Sequence, residues 1–362
     1  MSRPGHGGGV DRAADELGVA RERIVDFSAS INPFGPPDTV RQALLDALER
    51  VADYPEIDAQ SLRRALARWQ NLPEENLLPG SGSTELIYLL PRVLRPRRAL
   101  IIEPAFSEYA PALQQAGCRI DRLTLQAATD FRFEPRQVLE ALHADTELVL
   151  LANPGNPTGV AVDPLQLRKL AAALGRCRLL IDEAFVDFSV EHSLLAAVTE
   201  YPNLFVLRSL TKFYAIPGLR VGYLAGPSRE LARLAAERQP WTLSNLAIAA
   251  AKACLDDSRY RQRTLEAIPR LREQLVQGLE RLSVKVFPSH ANYLLLRVPR
   301  DWPGAATLCA RLREQGLLLR NCADFASLDD RYLRVAVRGA EENRRLLAAL
   351  AEAAARRGHS DV

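Results

Sequence analysis

A chain of 362 residues can bury more than one hydrophobic core, and 48% hydrophobic with 25% charged residues excludes a disordered, collagenous or fibrous protein. Forty-seven Lys and Arg against 44 Asp and Glu leave a formal charge of +3, with no block of five like charges, so nucleic acid is not an expected partner. No apolar run approaches the ~20 residues that span a bilayer, and the opening MSRPGHGGGVDRAADELG lacks the apolar core of a signal peptide; a soluble cytoplasmic protein without a membrane partner is expected.

From the N-terminus, residues 1–35 read as an irregular arm with a short amphipathic stretch at 10–18. Apolar spacing predicts helices over 38–50 and 59–70. A polar loop, Pro79-Gly80-Ser81-Gly82-Ser83-Thr84-Glu85, opens a helix over 85–94. Strands at 99–103, 119–125, 147–153, 178–182, 204–208 and 220–225 follow, the earlier ones separated by helices at 107–117, 135–142 and 164–174. Short, nearly all-apolar strands alternating with helices predict a parallel sheet covered on both faces. From about 240 to 283 the pattern is helical. Beyond it, strands at 284–287, 292–298, 317–320 and 332–337 interleave with helices at 304–315 and 340–357, as in a smaller α+β domain. The expected divisions are an arm at 1–35, a large domain at 36–258 and a small C-terminal domain at 259–362. No Ser- or Pro-rich linker separates the two domains, so they should share an interface.

Five cysteines (Cys118, Cys177, Cys254, Cys309, Cys322) are scattered without a CxxC, so neither a disulfide framework nor a metal site is expected. Only four lysines occur (Lys169, Lys212, Lys252, Lys285); every other cation is Arg. Lysine titrates and attacks carbonyls and arginine does neither, so the surroundings of those four carry chemical information.

In an open α/β sheet, ligands bind outside the carboxyl ends of the strands. Four polar clusters fall there or beside it: Asn153-Pro-Gly-Asn156-Pro-Thr-Gly159, Asp182-Glu183, Arg208-Ser209-Leu-Thr-Lys212 with Pro217-Gly-Leu-Arg220, and the glycine loop at 80–84. Each has an ordinary explanation alone: a helix cap, a turn, a strand-end carboxylate, a solvated charge. Together they would set phosphate donors, a carboxylate, an amide and a primary amine around one crevice. Three competing motifs lack their partners. Ser209-x-x-Lys212 has no SDN or KTG, His6-Gly-Gly-Gly has no GxSxG elbow, and no GxGxxG exists. What remains is Schiff-base chemistry. A buried Lys can condense with an aldehyde cofactor, pyridoxal phosphate also needs an acid such as Asp182 at its ring nitrogen, and Ser81 to Thr84, Ser209 and Arg220 could hold its phosphate.

With those residues in view, the chain resembles the class I/II aminotransferase superfamily of fold-type I pyridoxal-phosphate enzymes over nearly its whole length. The motifs at 153–159, Asp182-Glu-Ala-Phe185 and 209–220 carry the likeness. It is similar to the histidinol-phosphate aminotransferase branch. It is more similar still to the threonine-phosphate decarboxylase branch, through His6-Gly-Gly-Gly, Asp26-Phe-Ser-Ala-Ser-Ile-Asn32-Pro, Leu207 to Arg220, His290 to Arg297 and Tyr332 to Arg338. The resemblance implies an α/β large domain with a mostly parallel seven-stranded sheet covered by helices, plus the smaller α+β domain. It implies Lys212 as the Schiff-base lysine and proton shuttle, Asp182 at the pyridinium nitrogen and Asn156 at the ring oxygen and substrate. Phe106 would stack on the ring, and Ser83, Thr84, Ser209 and Arg220 would hold the cofactor phosphate. Tyr54 would reach the phosphate of the neighbouring subunit's cofactor, which implies a homodimer with active sites at the interface. Arg334 would bind the substrate carboxylate, with Arg320, Asn32 and His6 at the substrate phosphate and arm closure. Most aminotransferases have Tyr where Phe185 stands, which leaves Asn156 alone at the ring oxygen. His143, His192 and His359 read as surface residues, His290 as packed beside a strand, and Trp69, Trp241 and Trp302 as core or interface.

On such a cofactor, the Cα bond held perpendicular to the ring is the one that breaks, so the turn of the substrate carboxylate selects between transamination and loss of CO2. The decarboxylase branch implies conversion of L-threonine O-3-phosphate, a small phosphorylated amino acid, to (R)-1-amino-2-propanol O-2-phosphate for cobalamin. Aminotransfer to histidinol phosphate or a related aromatic substrate is the alternative. A non-catalytic regulator of the same fold is disfavoured by the intact Lys212 and an arm too short for a DNA-binding domain.

Overall fold

A computed structural model describes residues 7–355. His6, expected near the substrate, and His359 lie outside the described residues. Among those described there are thirteen strands: β1 (Val25–Asp26), β2 (Leu77–Gly80), β3 (Arg98–Glu103), β4 (Arg119–Thr124), β5 (Leu148–Ala152), β6 (Arg178–Asp182), β7 (Leu204–Ser209), β8 (Gly222–Ala225), β9 (Lys285–Val286), β10 (Tyr293–Arg297), β11 (Leu317–Leu318), β12 (Arg320–Asn321) and β13 (Tyr332–Ala336).

Seven of them form one sheet in the order β2-β8-β7-β6-β5-β3-β4. Strands β3 to β7 run parallel to one another, and β8 is antiparallel to both β2 and β7. The central strands are buried except at the Arg178 and Ala152 ends, as their continuous Leu, Ile and Val runs require when helices cover both faces. The chain steps outward from β3 to β4 and then restarts at β5 on the other side of β3. That reversal opens a crevice at the carboxyl ends of β3 and β5. Strand β2 is absent from the expected set because Pro79 and Gly80 disguise it. As an edge strand it tolerates a proline, which cannot donate to a ladder on its outer side.

The remaining departures are also local. The expected strand at 220–225 begins only at Gly222, since Arg220 sits in the left-handed region (φ 53). The long helical stretch breaks at Asp257, whose side chain caps the helix Ser258–Arg281 through Tyr260 N at 2.8 Å. The helix Ser228–Ala236 has no counterpart among the expected elements. The expected strand at 317–320 divides, its first half pairing with β1 and its second with β13.

A second, four-stranded antiparallel sheet (β12-β13-β10-β9) carries the C-terminal helices. Its core does not begin cleanly after residue 258. The helix Ser258–Arg281 gives Tyr260 and Ile268 to the large core, and Leu275 and Leu279 to the small one. Nor does the arm stand apart. Phe27 is wholly buried in the small core, its N–H donates to Leu318 O and its carbonyl accepts from Ala336 N, each at 2.8 Å. Among the described residues no helix is long and apolar enough to cross a membrane. Phe27→Ala is expected to cost about 3–5 kcal/mol, read as a lower urea midpoint at unchanged slope; an unshifted midpoint would put the segment outside the core.

Candidate active site

The crevice is a cavity of about 780 Å³ into which both domains and the arm project. At its floor lies Lys212, one turn beyond the end of β7. Its Nζ donates to Ser209 Oγ at 3.2 Å, and Ser209 Oγ in turn lies 2.8 Å from Thr211 Oγ1. Burial strips water from this amine and pulls its pKa down to about 8. The negative charge of Asp182 opposes that shift, and Arg220 and Arg334 reinforce it. Asp182 closes β6 and is itself buried, accepting from Tyr109 OH at 2.7 Å and from Ala184 N at 2.9 Å. Desolvation raises its pKa despite those donors. A buried carboxylate served mainly by neutral donors favours a cationic, proton-bearing partner.

At one end of the cavity, β2 leads into the helix Gly82–Leu94, whose first turn carries Ser83 and Thr84. Gly82 has φ +75, and a Cβ there would lie 2.6 Å from Arg220 Nη2. A side chain at 82 would therefore fill the place where the guanidinium meets the helix start. No side chain caps this helix at Ser81, so its first N–H groups keep hydrogen-bonding capacity for an anion.

On the other wall, Arg334 Nη1 donates to Asn156 Oδ1 at 2.6 Å and Nη2 to Ser28 O at 2.7 Å. Arg320 lines the cavity, paired with Asp324 at 2.7 Å and lying over the Phe325 ring. Phe106 lies on the cavity wall, edge-on to Tyr109. Phe185 also lines it, packed edge-on to Tyr293 at 4.9 Å. The Tyr293 hydroxyl donates to Gly155 O at 2.6 Å, so it does not replace the hydroxyl that Phe185 lacks.

The match of the aminotransferase class I and II model to residues 22–350 settles the kinship. The chain belongs to that family. It is 42% identical over 353 residues to a threonine-phosphate decarboxylase of Salmonella typhimurium, covering 95% of each chain. A bifunctional adenosylcobalamin biosynthesis protein of Leptospira interrogans matches at 30% identity over 96% of this chain and 41% of its own length. Histidinol-phosphate aminotransferases also match, one from Ralstonia nicotianae at 33% identity over 96% of this chain and 93% of its own. Among solved structures, L-threonine-O-3-phosphate decarboxylase of Porphyromonas gingivalis superposes with a TM-score of 0.82 at 28% identity, covering 90% of this chain and 98% of that one. The family cofactor is pyridoxal 5′-phosphate, and the residues fit it. A buried amine, a buried acid and an uncapped helix start with Arg220 across Gly82 match its aldehyde, ring nitrogen and phosphate.

Of the residues expected from sequence, Lys212, Asp182, Asn156, Phe106, Ser83, Thr84, Arg220, Arg320 and Arg334 line this one cavity, and Ser209 supports it through Lys212. Two do not line it. Asn32, expected at the substrate, is buried outside the lining. Its amide donates to Phe213 O (2.8 Å) and Thr264 Oγ1 (3.0 Å), and its backbone N–H to Lys212 O (3.0 Å). It braces the lysine segment. Tyr54 is 82% exposed and rests against Trp241. His192, expected on the surface, is largely covered and packs edge-on against His290.

Sequence reasoning missed Tyr109, although it lies three residues, about one helical turn, after Phe106. It missed Ser30, whose buried hydroxyl lines the cavity without a hydrogen-bond partner among the described residues. It also missed Arg12 and Arg21 at the mouth, which in sequence are ordinary charges of an amphipathic arm; they pair with Glu16 and Asp11.

Only the unprotonated Lys212 amine attacks an aldehyde. Recombination of the apoenzyme with pyridoxal phosphate should therefore accelerate as pH rises through about 8 and then level off. A stopped-flow rate still climbing toward the ordinary lysine value of 10.5 would mean a solvated amine.

Proposed function

We propose that this protein decarboxylates L-threonine O-3-phosphate to (R)-1-amino-2-propanol O-2-phosphate and CO2, the aminopropanol unit of cobalamin. One observation carries the reading. A single cavity pairs the buried amine and acid of a pyridoxal-phosphate site with Arg334 and Arg320, two cations for a substrate bearing both a carboxylate and a phosphate. The 42% identity over nearly the full chain favours the decarboxylase branch.

When bound, pyridoxal phosphate supplies the electron sink for the pair left at Cα as the carboxylate departs. The chain would do the rest. Ser83, Thr84, Ser209 and Arg220 would hold the cofactor phosphate, and Phe106 would cover the ring and exclude water. Asp182, aligned by Tyr109 and Ala184 N–H, would hold a proton at the ring nitrogen. Asn156 has its carbonyl engaged by Arg334, which leaves its NH2 group to donate to the ring oxygen. Arg334 would grip the substrate carboxylate and Arg320 the phosphate. Lys212 would tether the cofactor and then deliver a proton to Cα, a task suited to an amine whose pKa lies near neutrality.

We also infer a homodimer. Leu45, Leu48, Val51, Tyr54 and Ile57 expose an apolar run on the end of one helix and the loop after it, and Trp241 packs against Tyr54 beside them. A second copy covering this surface would bring Tyr54 to its partner's cofactor phosphate.

Holoenzyme given threonine phosphate and no 2-oxo acid should release CO2 and the amine over many turnovers. A requirement for 2-oxoglutarate, with glutamate accumulating, would instead assign an aminotransferase. Lys212→Ala should abolish turnover, and Arg334→Ala should raise KM about 10–100-fold with cofactor affinity little changed. Mixing inactive Lys212→Ala and Tyr54→Ala subunits should restore activity, because one site of each hybrid holds both residues; no recovery would refute the shared site.

A further inference from the structure

Ser28 stands where three parts of the molecule meet. It follows β1, which pairs with β11 of the small domain. Asp26 Oδ1 accepts from Ser28 N (2.8 Å), Ser28 Oγ (2.6 Å) and Ala29 N (3.2 Å), which folds the segment into a tight turn. With its hydrogen committed to Asp26, the Ser28 hydroxyl keeps lone pairs and accepts from Gly8 N at 2.8 Å. Its carbonyl accepts from Arg334 Nη2 at 2.7 Å. Gly7 presses so closely on the same peptide that a Cβ would lie 2.1 Å from Ser28 O and 2.6 Å from its carbon.

Arg334 is therefore gripped at both ends of its fork, Nη2 by Ser28 O and Nη1 by Asn156 Oδ1 across the domain interface. Two acceptors on a planar guanidinium define its plane, and a carboxylate bound to it inherits that plane. Given the role proposed above for Arg334, the plane decides which Cα bond stands across the cofactor.

We infer that Ser28 is a positioning residue for reaction choice: the arm docks on its hydroxyl, its carbonyl orients Arg334, and the two together commit the substrate to loss of CO2. The arm then acts as part of the specificity apparatus, since its docking stiffens the turn that aims the arginine.

The test compares wild-type, Ser28→Ala and Gly7→Ala holoenzymes in two measurements. The first is trypsin cleavage at Arg12 and Arg21, exposed arginines of the arm, without substrate. The second is CO2 released per substrate consumed. Both variants should be cut about tenfold faster than wild type. In both, CO2 yield should fall below one per substrate. The shortfall should appear as the corresponding 2-oxo acid, with the amino group transferred to the cofactor as its amine form. Gly7→Ala leaves the Ser28 side chain intact, so it reads arm docking even if Ser28→Ala folds poorly. Faster cleavage with an unchanged CO2 yield would overturn the link to Arg334, and unchanged cleavage in Gly7→Ala would overturn the docking. Wild-type enzyme that releases no CO2 would instead refute the decarboxylase reading, and the cleavage measurement stands independently of that.

Discussion

Everything at this site depends on keeping a primary amine out of water. In bulk solvent the Lys212 amine would be almost wholly protonated near neutrality and unable to attack a carbonyl; burial lowers its pKa to about 8 and so enlarges the neutral, nucleophilic fraction. The strand ends that surround it must therefore be held without solvent. Adjacent strands β6 and β7 bring Asp182 opposite Leu207, two residues before Ser209. The next residues along, Glu183 and Arg208, lie outside the cavity. They form a buried ion pair at 3.2 Å, joined by Asp187 and by Ser193 Oγ and Leu194 N, each donating to Glu183 at 2.6 Å. Neighbouring positions thus divide the work: Asp182 and Lys212 serve the cavity while Glu183 and Arg208 anchor the backbone beside them. An ion pair this deep stabilises only if its remaining donors and acceptors are met, and most of them are.

The cavity lining divides between the two domains. The large domain holds the amine, the acid, the helix start and Arg220. The small domain contributes Arg320 and Arg334 from β12 and β13, and the N-terminal segment is packed into that same small core through Phe27. The groups proposed for cofactor and for substrate thus sit on separate bodies, and the Arg334–Asn156 hydrogen bond joins them. With the roles proposed above, that bond would also tie substrate recognition to the ring-oxygen contact, which would gain weight where Phe185 offers no second hydroxyl.

Legibility in the sequence followed the range of the interactions. Strands β3 and β5 to β7 are readable because continuous apolar runs answer to burial on both faces, a property each segment carries alone. The cavity-lining motifs are readable because a strand end, a glycine and a proline constrain the local chain and recur as compact motifs. Strand β2 was hidden, since an edge position rather than any local preference allows Pro79 into a ladder. Asn32 sits in a motif that by itself suggests a substrate contact. Only its packing on Phe213 and Thr264, 181 and 232 residues away, reveals a brace for the lysine segment.

The sequence by itself determined the fold class and which motifs, those of Lys212, Asp182, Ser83, Thr84 and Arg220, gather at one cavity, because these rest on periodicity and on short motifs whose geometry is local. Tertiary structure alone decided that Tyr109 backs the acid, that Ser30, Arg12 and Arg21 reach the cavity, and that Gly7 and Gly8 of the arm meet Arg334 through Ser28. Those contacts join segments up to 306 residues apart. No local pattern encodes them, since they follow from how two cores pack rather than from what either segment prefers.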